Sequence, residues 1–467
     1  MLDPGLATRG PRPTLTQLHL YQFGNPSVMY ARRGASATDW RILVPNPAAV
    51  RGYPSDPSVV PGGTLELHLS GSDTVARLDI FRIGLADASL VATVPEVRWT
   101  PQPEAARDPR TGLVEEHWPV SARMPVPADW RSGFYLAKLT GRSGGQSYVP
   151  FVVRATQPQP LMVVLPFLAY QAYNTYGSSS LYSWSGGPLN RALAVSFDRP
   201  YDHEAGAALF FRLDFPLIVW LEDHGYEPAY VTDLDVARAP SLIRGARTII
   251  FSGHGEYWTK SLRDEAESAG RQGSNLLFFG ANQAFWQVRL EASGDGRPDR
   301  RVVGYKSASL DPLAATDPGS ATTRFEDPPV NRPPGDFMGF DYGGIVVGIQ
   351  PMIVGPGMAT FAPDLGLRPG RQLPGLIGGE VDVPSPDFSG VLLGATPVTV
   401  GRRTGVVTAA TGLWVNPSGS RVFDAGTFDF AWGLDPRYAA ALTGFPAEAW
   451  GQLTARILAW AGAQPTR

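Results

Sequence analysis

Apolar and polar residues alternate along the first third of the chain. Leu65-Glu66-Leu67-His68-Leu69 and Ala76-Arg77-Leu78-Asp79-Ile80-Phe81 show the period of two that sets one face of a strand against a core. Gly133 to Leu139 and Tyr148 to Val153 read as further strands, with turn residues at short intervals and no helical period between them. The pattern predicts an immunoglobulin- or fibronectin-like β-sandwich over residues 16–156, preceded by a flexible tail at 1–15.

The period changes after Gln157–Pro160. Met162-Val163-Val164-Leu165 is continuously apolar, as a strand buried on both faces should be. A helix over Leu217–Asp223 stops at Gly225, and strands follow at Ala229–Thr232, Arg247–Phe251 and Leu276–Phe279. A helix opened by Thr259 and closed by Gly273 separates the last two. Strands alternating with helices at this pitch predict a doubly wound, flavodoxin/amidotransferase-like α/β domain with extra β elements over 157–467. The whole chain is then a multidomain α+β protein. A Gly-, Pro- and Asp-rich stretch near 291–335 reads as a long surface loop, and Trp450, Leu453, Ile457 and Trp460 line one face of a final helix.

Composition narrows the chemistry. The 467 residues carry 40 Lys+Arg against 43 Asp+Glu, a net charge of −3 that offers no basic excess for a nucleic-acid backbone. With no cysteine and six histidines, disulfide scaffolds, zinc–thiolate sites, iron–sulfur clusters and cysteine nucleophiles are excluded. Any metal must therefore be held mainly by oxygen. Only three lysines occur: Lys138, Lys260 and Lys306. The longest apolar region, Leu161 to Tyr170, is far below the roughly 20 residues a membrane span needs. Residues 1–15 lack the apolar core of a signal peptide, so a cytoplasmic protein is expected, with a processed secreted form as the alternative.

In open parallel sheets, ligands bind beyond the carboxyl ends of the strands. Here one predicted strand runs into Ser252-Gly253-His254-Gly255-Glu256 and another into Gly280-Ala281-Asn282-Gln283, while the first ends near Tyr170, Tyr173 and Tyr176. A site built from these loops would contain His254, Glu256, Asn282 and several tyrosines. Each residue also has a plain structural reading: a local His–Glu pair, a helix-capping Asn282, tyrosines as core or rim packing, and Lys306 as a solvated surface charge.

Several ordered motifs carry a resemblance. They are SGFYLAKL (132–139), LAYQAYNTYGSSSLY (168–182), FDRPY (197–201), GHGEYWT (253–259), FFGANQAFWQVRL (278–290), GYK (304–306) and GGEVD (378–382). Over roughly 125–465 the chain resembles the catalytic region of the N,N-dimethylformamidase large (beta) subunit family. That resemblance implies a mononuclear, ferric iron held by two tyrosinates and a glutamate, here Tyr135, Tyr173 and Glu256, with Tyr176 left open as a substitute for Tyr173. It also implies roles around the metal for His254, Asn282, Lys306 and Glu380, with Phe285, Trp286 and Trp258 as an aromatic wall. The implied activity is hydrolysis of the carbon–nitrogen bond of a small linear amide. A small partner subunit, or a homo-oligomer, is the expected assembly. A non-catalytic glycan- or peptide-binding protein on the same scaffold is the rival.

Overall fold

The computed structural model describes residues 39–184, 189–401 and 405–466. The expected tail at 1–15 and the first part of the expected sandwich, 16–38, lie outside the described residues. The chain is a mixed α+β protein.

The first eight strands are β1 (Arg51–Pro54), β2 (Ser58–Val59), β3 (Thr64–Ser70), β4 (Val75–Gly84), β5 (Asp87–Arg98), β6 (Val120–Pro125), β7 (Gly133–Gly141) and β8 (Gln146–Val153). They form a three-stranded sheet in the order β1-β3-β6 and a five-stranded sheet in the order β2-β8-β7-β4-β5. Leu65, Leu67 and Leu69 of β3 meet Leu78 and Ile80 of β4 and Tyr135, Ala137 and Leu139 of β7 in the core between them. The alternation seen in the sequence is therefore the inward face of each strand. β7 departs from that pattern because it has no wet side. Phe134 and Leu136 point the other way, into the largest core of the molecule, and Phe134 stacks on Phe210 with ring centroids 3.5 Å apart. Lys138 is buried as well, its ammonium donating to the carbonyls of Asp39 (2.6 Å) and Arg41 (2.7 Å).

The second half is built on a seven-stranded sheet. Its first elements are β9 (Leu161–Leu165) and helix α1 (Phe167–Tyr173), with the short β10 (Ala194–Ser196), then α2 (Phe215–Asp223), β11 (Ala229–Thr232) and α3 (Asp233–Arg238). β12 (Thr248–Ser252), β13 (Tyr257–Thr259), α4 (Lys260–Arg271), β14 (Asn275–Phe279), β15 (Trp286–Glu291) and β16 (Arg301–Val303) follow. The later strands are β17 (Phe340–Ile345), β18 (Gln350–Ile353), β19 (Gln372–Ile377), β20 (Glu380–Pro384), β21 (Val391–Val400), β22 (Gly405–Val415) and β23 (Arg421–Asp424), before the closing helix α5 (Ala447–Trp460). The sheet order is β11-β9-β12-β14-β23-β22-β21, parallel through β23 and antiparallel at β22 and β21. From β9 the chain goes first to one neighbour, β11, and then to the other, β12. That reversal leaves a crevice at the carboxyl ends of β9 and β12, where helices on opposite faces diverge.

The two halves share a core. Phe81, Ile83, Phe134, Leu136 and Tyr148 belong to the same buried cluster as Phe167, Phe210, Phe215 and Leu217, so packing is continuous across the expected border at 156–157. Arg82 of β4 grips Glu222 of α2 with two bonds of 2.6 and 2.8 Å, and Arg301 does the same to Glu115 at 3.0 and 2.6 Å. The stretch 291–335 carries the short strand β16, and its Ala321, Thr322 and Phe325 are wholly buried. Among the described residues no helix is long and apolar enough to cross a membrane.

Candidate active site

Three strand ends build the site. α1 begins directly after β9, its Leu168 amide donating to the buried Asp233 carboxylate, and ends with Tyr173 over the crevice. β12 ends at Ser252 and turns through Gly253 (φ +60) to present His254 and Glu256, both buried. β14 leads to Gly280, where an added Cβ would collide with the Gly253 carbonyl; glycine there lets the two loops lie against one another. Asn282 follows in the left-handed region (φ 55), held by its backbone amide, which donates to Asp382 at 2.9 and 3.1 Å. A non-glycine residue in that conformation stores strain, as residues held for function often do.

Oxygen atoms converge at the crevice. The Tyr173 hydroxyl donates to Glu256 Oε2 at 2.8 Å, and the Tyr182 hydroxyl donates to the same carboxylate. The two phenol oxygens are 3.2 Å apart and their rings stack with centroids 4.6 Å apart. Trp286 Nε1 donates to Glu256 Oε1 at 2.9 Å. His254 has Nδ1 3.0 Å from the Ala281 carbonyl, which makes Nδ1 the donor nitrogen and leaves Nε2 facing Tyr173 Oη (2.9 Å), Glu256 (3.4 Å) and Glu380 (4.0 Å). Asn282 Nδ2 donates to Glu380 Oε2 at 2.6 Å, while its buried Oδ1 has no hydrogen-bond partner among the described residues. The Lys306 ammonium, on a residue that is also left-handed (φ 56), sits 3.5 Å from the Tyr182 ring centroid and 4.9 Å from that of Trp286.

Burial dominates the electrostatics. It lifts both phenols well above the usual tyrosine range, and the neighbouring Glu256 charge pushes the same way, so each phenol keeps its proton and donates it. Burial also opposes the charge on Glu256, but the His254 and Lys306 cations and the Tyr182 donor outweigh it and hold the carboxyl below its ordinary value. For Glu380 the balance goes the other way: desolvation, with the nearby Glu256 charge, outweighs the His254 cation and the Asn282 donor and pushes it up to about 7. Burial works against protonating His254, yet Glu380 and Glu256 raise its pKa overall. Lys306 is pulled down to about 7 by burial.

The structure thus brings together Tyr173, Glu256, His254, Asn282, Lys306 and Glu380. It does not bring Tyr135. On β7 the side chains alternate, and the face that carries Phe134 and Leu136 toward the α/β half turns Tyr135 into the inter-sheet core. There it stacks on Trp130, its ring 5.2 Å away, and donates its hydroxyl to the Arg131 carbonyl at 2.7 Å. Tyr176 is engaged elsewhere too, donating to Glu116 Oε1 at 2.9 Å. The second phenol beside Glu256 is Tyr182, the last residue of the 168–182 motif, which the sequence reading passed over. Trp258 also leaves the expected aromatic wall: it packs on Phe251 beneath the sheet, while its neighbour Tyr257 takes the site side, edge-on to Tyr173 and Tyr182.

Among the described residues no group of three His, Asp or Glu side chains is arranged to hold a metal. The set that converges is of another kind, two phenols and one carboxylate, all hard oxygen donors that suit a hard cation. Both phenols donate their protons to Glu256, and a cation held among these oxygens would take the place of those protons. The donor set therefore fits the iron that the family resemblance implies, with Tyr182 in place of Tyr135.

Comparison with known proteins agrees with the motifs. The family model "N,N-dimethylformamidase beta subunit-like, C-terminal" matches residues 77–441. The chain belongs to this family. Within it, the N,N-dimethylformamidase beta subunit of an Alcaligenes species is 23% identical over 215 residues, covering 37% of this chain and 28% of that relative. The match therefore spans well under a third of the relative's length. Among solved structures, a Paenibacillus sp. cycloisomaltooligosaccharide glucanotransferase complexed with cycloisomaltoheptaose aligns over 53% of this chain and 45% of its own, at 11% identity and a TM-score of 0.17. A likeness that low carries no argument.

Proposed function

We propose that this dimethylformamidase-family chain is a metal-dependent amidohydrolase that cleaves the carbon–nitrogen bond of a small linear amide. The observation that carries the reading is the meeting of Tyr173, Tyr182 and Glu256 oxygens beside His254, Asn282, Lys306 and Glu380 in one crevice. The fold that accompanies it is an immunoglobulin-type sandwich set against a flavodoxin-like doubly wound sheet, a reading supported by the parallel order β11-β9-β12-β14.

Tyr173, Tyr182 and Glu256 would hold a mononuclear iron. When bound, the metal supplies Lewis acidity for an amide carbonyl and acidifies water. Glu256 is then occupied as a ligand and is a poor base. Glu380, pushed up to about 7, exchanges its proton near neutral pH and lies 4.0 Å from His254 Nε2, so this pair carries the proton to the leaving amine. Asn282 and the Lys306 ammonium stabilise negative charge that develops on the amide oxygen. The rings of Tyr182, Tyr257 and Trp286 would give a small, weakly polar substrate an aromatic wall. A partner subunit belongs to the proposal because the Alcaligenes relative bears the name of a subunit.

The test combines metal analysis of the purified chain with amine release from small formamides and acetamides. Stoichiometric iron and released amine support the reading. Iron below about a tenth of an equivalent after reconstitution, with no amine released, favours the glycan- or peptide-binding alternative.

A further inference from the structure

The FDRPY motif at 197–201 has no part in the site as described, yet its arginine is among the most enclosed side chains of the molecule. Arg199 has no solvent exposure. Its Nη1 donates to the carbonyls of Tyr176 (3.2 Å) and Ser179 (2.9 Å), and its Nη2 to those of Gln171 (3.3 Å) and Asn174 (2.9 Å). Nε reaches the Gln171 side-chain oxygen at 3.4 Å. Every acceptor falls within 171–179, from the last turn of α1, which carries Tyr173, into the loop that leads to Tyr182.

Other bonds tie this segment at single points, among them the Leu181 amide to the Ala172 carbonyl (3.0 Å) and the Tyr176 hydroxyl to Glu116 (2.9 Å), whereas Arg199 gathers four of its carbonyls at once. The segment leaves α1, makes one short 3-10 turn at Tyr176–Ser178 that contains two successive left-handed residues, Gly177 (φ 69) and Ser178 (φ 58), and ends at Tyr182. Buried polar groups of the same neighbourhood reinforce the clasp. Asn174 Nδ2 donates to the Pro200 carbonyl (2.9 Å) and to Gln171 Oε1 (3.2 Å), and its Oδ1 accepts from the Tyr176 and Asp202 amides. Burial lowers the Arg199 pKa to about 10, so it is a cation at neutral pH. Among the described residues no carboxylate lies within ion-pair distance of it. A buried, unpaired cation is costly, and a planar fork of five donors is the feature of arginine that an apolar or shorter residue cannot replace.

We propose that Arg199 is the positioning residue of this site: by clamping the carbonyls of Gln171, Asn174, Tyr176 and Ser179 it sets the spacing and facing of the Tyr173 and Tyr182 phenols. The role rests on the reading of those phenols as a ligand pair. Arg199 itself touches neither phenol, so it acts only through the loop.

The test uses full-length protein labelled with 3-fluorotyrosine, with the Tyr173 and Tyr182 fluorine resonances assigned through their Phe variants. In folded Arg199→Lys, which keeps the charge and loses the fork, both resonances shift or broaden while those of Tyr53, Tyr230 and Tyr438 stay in place. After iron reconstitution the tyrosinate-to-iron absorption falls at least twofold. Both resonances unmoved in folded Arg199→Lys would overturn the proposal. Should the arginine variants not fold, Gln171→Leu removes one acceptor and no charge; a shifted Tyr173 resonance supports the clasp and an unshifted one rejects it. If wild-type protein develops no iron absorption, the metal reading fails, and the fluorine measurement still decides the role of Arg199.

Discussion

The Tyr173 hydroxyl lies 2.8 Å from Glu256 Oε2, although 83 residues separate the two in the chain. The contact exists because α1 ends over the crevice that the reversal between β9 and β12 opens, and Glu256 leaves β12 at the same height. Tyr182 then closes the group from a loop that returns to the same carboxylate. Much of the chemistry assigned to the molecule depends on that meeting point.

Asn282 is the residue whose removal should separate binding from turnover. Its strained backbone is fixed by Asp382 and its amide nitrogen by Glu380, so the side chain is preorganised and not recruited by substrate. Asn282→Ala should lower kcat for amide hydrolysis by about 10²–10³ with a smaller change in KM, as loss of an oxyanion donor does. Steady-state kinetics on a small amide check this; an unchanged kcat removes Asn282 from the machinery.

The Arg82–Glu222 pair should hold the two halves of the chain in one cooperative unit. Both side chains are largely buried, and Tyr230 adds a third bond to Glu222 at 3.0 Å. Removing one partner leaves an uncompensated charge, so Glu222→Ala should cost roughly 3–5 kcal/mol in urea unfolding. A loss within about 0.5 kcal/mol would mean that water reaches the pair.

Lys138 gives the β-sandwich a pH dependence of known sign. Burial lowers its pKa to about 8, while the unfolded chain keeps the ordinary value near 10.5. Between those values the unfolded state binds more protons than the folded one, so stability rises with pH. Relative to Lys138→Met, wild-type protein should gain stability between pH 8 and about 10.5, on the order of 1–3 kcal/mol after allowance for its two carbonyl partners. Denaturant titrations of both proteins at pH 7.5 and 10 measure the difference; a parallel response of the two would refute it.

Tyr135 should matter for stability alone. Its hydroxyl bonds the Arg131 carbonyl inside the sandwich, so Tyr135→Phe should cost about 0.5–1.5 kcal/mol and leave the metal content unchanged. Thermal unfolding and metal analysis of one preparation test both halves of the statement.

How much of this was legible in the sequence follows from the kind of regularity each part uses. β9, β12 and β14 stand out because strands covered on both faces are apolar throughout, and the strand-end position of His254, Glu256 and Asn282 follows from parallel topology. Glu380 and Lys306 were legible only through motifs, since no local pattern ties them to His254, which lies 126 and 52 positions away from them. Tyr135 misled because motif membership says nothing about strand parity, and a single position on β7 decides between the α/β interface and the inter-sheet core. Tyr182 was hidden for the opposite reason. No helical or strand period crosses the irregular loop from Tyr173, and the groups that shape it, Arg199 and Asn174 above all, act through backbone carbonyls that leave no side-chain pattern.

The visible spectrum of iron-reconstituted wild-type protein beside Tyr182→Phe and Tyr135→Phe tests the Tyr173–Tyr182–Glu256 ligand set most directly. Wild type should show a tyrosinate-to-iron band with about one iron per chain, Tyr182→Phe a lost or displaced band, and Tyr135→Phe an unaltered one. A band that survives in Tyr182→Phe but disappears in Tyr135→Phe, or none in iron-loaded wild type, would contradict that ligand set.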